Sequence, residues 1–554
     1  MTLTYQHLRE NLIGEYQEIN TPFGTKPLVY ADYTASGRSL KFIENFITHN
    51  VLPHYANTHT DSSFTGRQTS ALREQARTII KQAIGVHDEH HIIFCGSGAT
   101  SALDKIIGLL GLRTANTFMQ NTDDSAKNDA LKPIVFLGAY EHHSNELPWR
   151  ESAADVVTIP LLENGSIDLD ELEIQLQKFK HRPLKIGSFS AASNVTGIKT
   201  DIKSIAALLH SHGALAFADY AAGAPYLSIN MQGDADKNNG LDAAFISPHK
   251  FVGGPGTSGI LAVHKDLCTN PVPVVQGGGT VSYVTPETHT YIQSGVRREE
   301  AGTPGIIESI RTGLVFKVQQ DIGTHNIAHQ ESSYIQRAID HWAENPNVKV
   351  LGNLKAERLA IASLQFFHKD KELHYGFITA LFNDLFGIQV RGGCSCAGPY
   401  GHDLLELSSE KTHKIQQRVL TGNTVFRPGW VRLNFNYFIS ENQFQFLLKA
   451  IDLVAEFAWK LLPYYQYNSH QGIWLYQGEK TELPVSLLNN SYLQPSKSSF
   501  VHNEPNFDAL LEQAKQELCA QRNHQDKKSL PEAIEKDSFY WFYKPEELDS
   551  HTKI

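Results

Sequence analysis

Four short segments carry side chains whose types and positions suit chemistry. Ser247-Pro248-His249-Lys250 follows an apolar run and precedes the Gly-rich FVGGPGTSG. A lysine at such a turn can form an imine with an aldehyde, and Ser247 and His249 on either side can donate to a phosphate. Asp219 closes the apolar run ALAFAD. A carboxylate there is costly to bury unless a cation meets it. Phe94-Cys95-Gly96-Ser97-Gly98-Ala99-Thr100 has the form of a strand, a Gly turn and a helix start. Free N–H groups at a helix N-terminus, here around Ala99, make an anion site with the Thr100 hydroxyl. Glu141-His142-His143 follows PIVFLGAY, and an imidazole at His142 can lie flat on an aromatic ring. Lysine, acid, stacking ring and phosphate cradle together are what pyridoxal phosphate asks of a protein. Each has a plainer reading alone: a surface lysine, a strand-end cap, an ordinary strand–helix turn, a solvated histidine pair.

The elements that must position these groups are legible as alternating patterns. Apolar runs at 91–95, 133–138, 184–190, 214–220, 243–247 and 259–264 read as strands. TSALDKIIGLLG and TDIKSIAALLHSHG between them have helical spacing, the second stopping at Gly213. Such alternation predicts an α/β protein with a mainly parallel sheet of seven-stranded type, covered on both faces. Ligands of such sheets sit beyond the carboxyl ends of the strands, where Thr100, Asp219 and Lys250 fall. From about 312 the texture changes to longer helical patterns (IQRAIDHWAE), a strand (SLQFFH) and an amphipathic stretch at 442–462, predicting a smaller α+β domain. The expected division is an N-terminal segment 1–24, a large domain 25–311, a small domain 312–470 and an extension 471–554. That extension, polar but closing on FYWFYKPEELD, reads as an appended module or a tail wrapping the body. A polar loop is expected at 117–132.

The quoted segments resemble the class V, fold-type I family of pyridoxal-phosphate enzymes, and within it the cysteine desulfurase and molybdenum-cofactor sulfurase branch. The resemblance covers roughly 25–460. It rests on YADYTASG, YANTHTDSSFTG, GSGATSAL, EHHSNELPW, AASNVTG, FADYAAG, SPHKFVGGPGTSGIL, RREEAGTPGI, VRGGCSCAGP and GWVRLNF, in the family's order. It implies that Lys250 carries the cofactor, that His142 stacks on the ring and that Asp219 pairs with its nitrogen. Thr303 in EAGTP would reach the phosphate of a neighbouring subunit, which implies a homodimer. The family's spacing of a substrate-binding arginine and a persulfide-forming cysteine five residues later falls on Arg391 and Cys396. Arg432 matches the arginine that clamps the substrate carboxylate, a task suited to its bidentate fork. The resemblance thus implies sulfur transfer from L-cysteine to Cys396, with alanine released and a sulfur-acceptor protein as possible partner. The alternative is another class V reaction, such as transamination, epimerisation or C–S lysis, with the cysteines as bystanders. A scaffold protein is a third reading, but it would need neither Lys250, Asp219 nor His142.

Two departures stand out. Ala222 occupies the place where desulfurases carry a polar partner for the ring hydroxyl, so Asn194 is expected to supply that contact. The stretch between the Cys loop and Arg432 is also longer than in compact desulfurases, which would reshape the substrate entrance or dock an acceptor.

Composition fits this class. The 554 residues include 49 Lys plus Arg and 59 Asp plus Glu, a net charge of −10, which argues against nucleic acid or an anionic membrane as partner. No apolar run is long enough to span a bilayer, and the N-terminus lacks a signal-peptide core, so a cytoplasmic enzyme is expected. Five scattered cysteines do not suggest a disulfide framework. HDEHH (87–91) has metal-ligand residue types but reads as a solvated turn, and no metal is expected.

Overall fold

Seven short runs, mostly apolar, build the central sheet of the computed structural model, which describes residues 3–58, 60–114, 131–293, 295–477, 503–522, 530–535 and 537–549. They are β1 His90–Cys95, β2 Ile134–Gly138, β3 Asp155–Ile159, β4 Lys185–Ser190, β5 Leu215–Asp219, β6 Ala243–Ile246 and β7 Gly259–His264. Their order in the sheet is β1-β7-β6-β5-β4-β2-β3. Neighbours from β6 through β3 are parallel. Only β7 runs antiparallel, to both β1 and β6. Strands β2, β5 and β6 are buried almost end to end, as expected of parallel strands covered on both faces. Two apolar clusters supply those faces. One holds Phe136, Ala218 and Ile246; the other holds Ile186, Phe217 and Phe245 from the alternate positions.

Strand β3 was not anticipated. Its sequence, DVVTI, is only partly buried and pairs with a single neighbour, β2. HDEHH also differs from expectation: β1 begins at His90, whose ring is buried and bonded to the Leu241 carbonyl at 2.9 Å. The loop expected at 117–132 lies almost wholly outside the described residues.

Helix α1 (Gly98–Leu109) follows β1 directly, and α2 (Ile202–Ser211) is capped by Asp201, whose side chain accepts from the Ser204 N–H. Helix α3 (Ile306–Ile322) crosses the boundary expected at 311/312, and its Val315, Phe316 and Ile322 belong to the large core. The smaller layer begins with α4 (Thr324–Trp342). It contains β8 Val348–Val350, β9 Ile361–His368, β10 Lys371–Leu373, β11 Arg391–Gly393 and β12 Trp430–Asn434, with helices α5 (Tyr375–Phe386), α6 (Gly398–Leu404), α7 (Ser409–Leu420) and α8 (Glu441–Phe457). The sheet order is β8-β9-β12-β11, with β10 paired to β9.

The described part of the C-terminal extension is built into this second core. Helix α9 (Phe507–Cys519) stacks Phe507 on Phe446 of α8 with ring centroids 4.5 Å apart. Phe542, fully buried, joins the same cluster, and its backbone bridges to Glu372 of β10. Of the two expectations for the extension, the wrapping tail describes these residues.

Candidate active site

The carboxyl ends of β1, β2, β4, β5 and β6 converge on one region. One close approach there is backbone on backbone. A Cβ at Gly259 would lie 2.4 Å from the Gly98 carbonyl oxygen, so the start of β7 presses against the turn leading into α1. Gly98 itself has φ +63°, and a Cβ there would meet Ser247 Oγ at 2.7 Å and His249 Cε1 at 3.0 Å. The turn after β1 and the turn after β6 are thereby locked together. Ala99 N–H donates to Ser247 Oγ at 2.9 Å across that junction. The exposed Thr100 hydroxyl donates to Ser144 Oγ at 2.8 Å, joining the α1 start to the segment after β2. Ala99, Thr100, Ser247 and His249 are therefore brought together.

Lys250 ends a short 3-10 turn, Pro248–Lys250, that follows β6. Burial, opposed by Asp219 and reinforced by Arg432, pulls its amine down to about 8. Asp219 is 4% exposed, and one of its oxygens accepts from Ala221 N–H at 2.7 Å. Burial pushes its carboxyl up, while that N–H and the charge of Lys250 pull it back. Among the described residues no ion pair reaches it. His142 is held by Ser144 N–H donating to its Nδ1 at 3.1 Å. Burial, then Lys250, brings the imidazole down to about 4, so it is neutral at neutral pH. Beneath lies Glu141, fully enclosed, accepting from the Ser190 N–H (2.9 Å), the Ser190 hydroxyl (2.6 Å) and Asn145 Nδ2 (2.6 Å). Burial raises its carboxyl to about 8.

The second lobe contributes the arginines and the cysteine loop. Arg391 and Arg432 stand opposite each other in the β11–β12 register. Both reach Asp32. Arg391 Nε lies 3.2 Å from one oxygen and Arg432 Nη2 3.1 Å from the other. Asp32 arrives there because Ala31 is threaded between two segments of the second lobe: its N–H donates to the Gln389 carbonyl and its carbonyl accepts from Asn434 N–H. Arg432 is 3% exposed and also donates from Nη1 to the Asn194 carbonyl at 3.0 Å, while its Nε has no partner. Asn194 Nδ2 donates to the Ser395 carbonyl at 2.8 Å, and Asn194 Oδ1 is buried without a partner.

Between β11 and α6 the chain makes a tight turn in which Ser395 and Cys396 both have φ +55°. The left-handed region is uncommon for residues with a side chain, and two in succession need support. His143 supplies it twice. Its N–H donates to the Cys396 carbonyl at 2.9 Å, and its Nε2 accepts from Gly398 N–H at 3.1 Å. Trp430 Nε1 donates to Ser395 Oγ at 3.2 Å. Cys396 is exposed, while Cys394 is partly covered and lines an apolar cavity of about 360 Å³ against His402, Ile415 and Trp430.

These residues fit pyridoxal phosphate on their own chemistry. A buried carboxylate lacks a cation, a buried amide oxygen lacks a donor, a neutral imidazole lies at the lysine, and a cradle too tight for a Cβ closes on Ser247 and His249. Ala222 is buried and offers no polar group. Thr303 lies apart from this set, exposed, accepting from Asn57 Nδ2 at 3.2 Å. Asp32 was not singled out from the sequence, and Glu141 and His143 were named only as neighbours of His142, without roles. The signal for Glu141 was an acid placed directly between a buried strand and a histidine pair.

The aminotransferase class-V family model matches residues 29–412. A probable cysteine desulfurase of Halalkalibacterium halodurans is 28% identical over 387 residues, covering 69% of this chain and 86% of the relative. A cysteine desulfurase of Klebsiella pneumoniae is 25% identical over 407 residues, covering 72% and 90%. Among solved structures, the apo cysteine desulfurase of Thermococcus onnurineus superposes with a TM-score of 0.61 at 22% identity, over 77% of this chain and 95% of that one. The cysteine desulfurase CsdA of Escherichia coli gives 0.60 at 19% identity, over 82% and 99%. At these identities the two structures bear on the fold, which is shared.

Proposed function

The chain belongs to the class V aminotransferase family of pyridoxal-phosphate enzymes, and we propose that within it the protein is a cysteine desulfurase that carries sulfur on Cys396. The observation that carries this reading is the turn at Ser395–Cys396. An exposed thiol is held in an uncommon backbone conformation, pinned by His143 next to the expected ring-stacking His142 and near the Arg391–Arg432 pair. A buried, inert cysteine pair would need no such support.

When bound, pyridoxal phosphate supplies an electron sink for bonds broken at the substrate's α carbon. The rest falls to this chain. Lys250 attaches the cofactor and, with its amine near 8, takes and returns a proton at Nζ under neutral conditions. Asp219 keeps a proton on the ring nitrogen, and Asn194 Oδ1 accepts from the ring hydroxyl in place of the group that Ala222 lacks. His142 stacks on the ring in its neutral form. Ala99, Thr100, Ser247 and His249 hold the phosphate, with Thr303 serving the partner subunit of a homodimer. Arg391 and Arg432 receive the carboxylate of L-cysteine. The Cys396 thiolate attacks the substrate sulfur. The bond from that sulfur to Cβ breaks, an S–S bond forms on Cys396, and the carbon skeleton leaves as alanine after taking up a proton. The exposed persulfide is then open to a sulfur-acceptor protein. The five cysteines are free, which suits a reducing compartment such as the cytoplasm. Among the described residues no helix is long and apolar enough to cross a membrane.

The test is incubation of the cofactor-loaded protein with L-cysteine and measurement of alanine. Stoichiometric or catalytic alanine is expected; none, with another product from the same amino acid, would favour a different class V reaction. The dimer is tested by sedimentation, where a stable monomer with full cofactor content would contradict it.

A further inference from the structure

The segment after β2, residues 141–145, carries both histidines of the candidate site, and the side chains at its two ends bond to each other. Asn145 Nδ2 donates to Glu141 Oε2 at 2.6 Å. Both side chains are buried, and both are fastened to the end of β4. The Ser190 N–H donates to Glu141 Oε1 at 2.9 Å, and the Ser190 hydroxyl donates to Oε2 at 2.6 Å. Asn145 Nδ2 also donates to the Ser188 carbonyl at 3.2 Å. Asn145 Oδ1 accepts from the Ser188 hydroxyl at 2.6 Å and from Trp149 Nε1 at 3.3 Å. The carboxyl folds back so closely on β2 that a Cβ at Gly138 would lie 2.7 Å from Glu141 Oε1. Inside this clamped loop stand the two rings. His142 Nδ1 accepts from Ser144 N–H, while His143 holds the cysteine turn through its N–H and its Nε2.

We propose that Glu141 is a positioning residue that, through Asn145 and the end of β4, sets His142 over the cofactor ring and His143 against the cysteine turn as one unit. The inference rests on the reading of His142 as the ring-stacking residue. Among the described residues every hydrogen-bond partner of the Glu141 carboxyl is a donor, so the clamp has one polarity. Glu141→Gln keeps the shape and breaks that polarity. Its NH2 would face the Ser190 N–H at one oxygen position or Asn145 Nδ2 at the other. Either choice sets buried donors against each other, which the loop relieves by shifting. Adding Asn145→Asp lets the amide at 141 donate to a carboxylate at 145, so the bond is reversed and the buried charge is kept. A carboxyl that merely capped β4 would lower stability when replaced and leave both histidines in place.

The experiment reads two local signals from cofactor-loaded protein. Visible circular dichroism reports the surroundings of the ring. Alkylation followed by peptide mass analysis compares Cys396 with Cys519, which is also exposed and lies on α9 as an internal reference. In Glu141→Gln the dichroic band should weaken by roughly half, and Cys396 labelling should rise on the order of threefold over Cys519, because two left-handed residues relax once their support moves. Both signals should return toward wild type when Asn145→Asp is added. A lower unfolding midpoint with both signals unmoved would overturn the proposal, as would movement of one signal alone or no recovery in the double variant. Should Glu141→Gln not fold, Asn145→Ala opens the clamp from its other end and should move the same two signals; failure of both to fold would make the pair a requirement of the fold and overturn the positioning role. His142→Ala checks the premise, and an unchanged band there would remove the stacking reading and this inference with it. Alanine release from L-cysteine enters neither signal, so the desulfurase reading stands or falls apart from this one.

Discussion

At the scale of single residues, burial does most of the work on the site's charges. Lys250 Nζ is brought down to about 8 mainly by burial, with Arg432 assisting and Asp219 opposing. The sign follows directly: below that pH the amine is charged and unreactive toward an aldehyde, and above it the amine is free. Loading of the apo protein with pyridoxal phosphate should therefore accelerate as pH rises through about 8 and then level off. An unperturbed lysine would keep accelerating toward about 10.4. Stopped-flow absorbance across that range checks this, and a rise that continues without a plateau would contradict it. Lys250, Asp219 and His142 stood out in the sequence because each lies at the end of an apolar run that becomes a sheet strand, or within four residues of it. Asp32 was not, because its partners Arg391 and Arg432 lie 359 and 400 residues away, and no local pattern records that meeting.

Among the elements, the turn between β11 and α6 depends on a different lobe for its shape. His143 is the only residue that holds both the Cys396 carbonyl and the Gly398 N–H among the hydrogen bonds of the described residues. Replacing it with phenylalanine keeps a ring but removes the acceptor for Gly398. We expect His143→Phe to load cofactor with normal absorbance and to lose sulfur transfer on the order of tenfold or more, since small misplacements of reacting atoms are costly. Alanine release under single-turnover conditions reads this out, and an unchanged rate would mean the turn holds itself. Strand order and direction were only partly legible. The buried strands announced themselves by composition, whereas β3 at the sheet edge is half-exposed and lacks a continuous apolar run. The reversal of β7 is set by its pairing between β1 and β6, which the strand's own residues do not encode.

For the whole molecule, the C-terminal extension is the main difference from a sequence-based outline. Arg418 of α7 pairs with both oxygens of Asp537 at 2.7 Å, Trp541 Nε1 donates to the Phe426 carbonyl at 3.0 Å, and Lys371 pairs with Glu547 at 2.7 Å. The first two contacts tie the extension to the segment between the cysteine loop and Arg432, the third ties it to β10, and Phe542 is fully buried. Phe542→Ala should cost about 3–5 kcal/mol of stability through lost burial and a residual cavity. Chemical denaturation should show a lower midpoint; an unmoved midpoint would mean the extension folds apart from the small-lobe core. The sequence left module and tail undecided because the apolar positions after 500 are few and separated by polar stretches. Their partners, on α5, α8 and β10, are equally compatible with facing solvent or a neighbour until packed.

The central claim is that sulfur leaves the substrate onto one particular cysteine, and mass spectrometry of the loaded protein after brief exposure to L-cysteine tests it most directly. Trapping the thiols with an alkylating reagent and digesting the chain should locate an added sulfur on Cys396, absent from Cys396→Ser and retained in Cys394→Ser, with cofactor absorbance intact in both variants. Full alanine production with no sulfur on Cys396, or undiminished turnover by Cys396→Ser, would contradict the account.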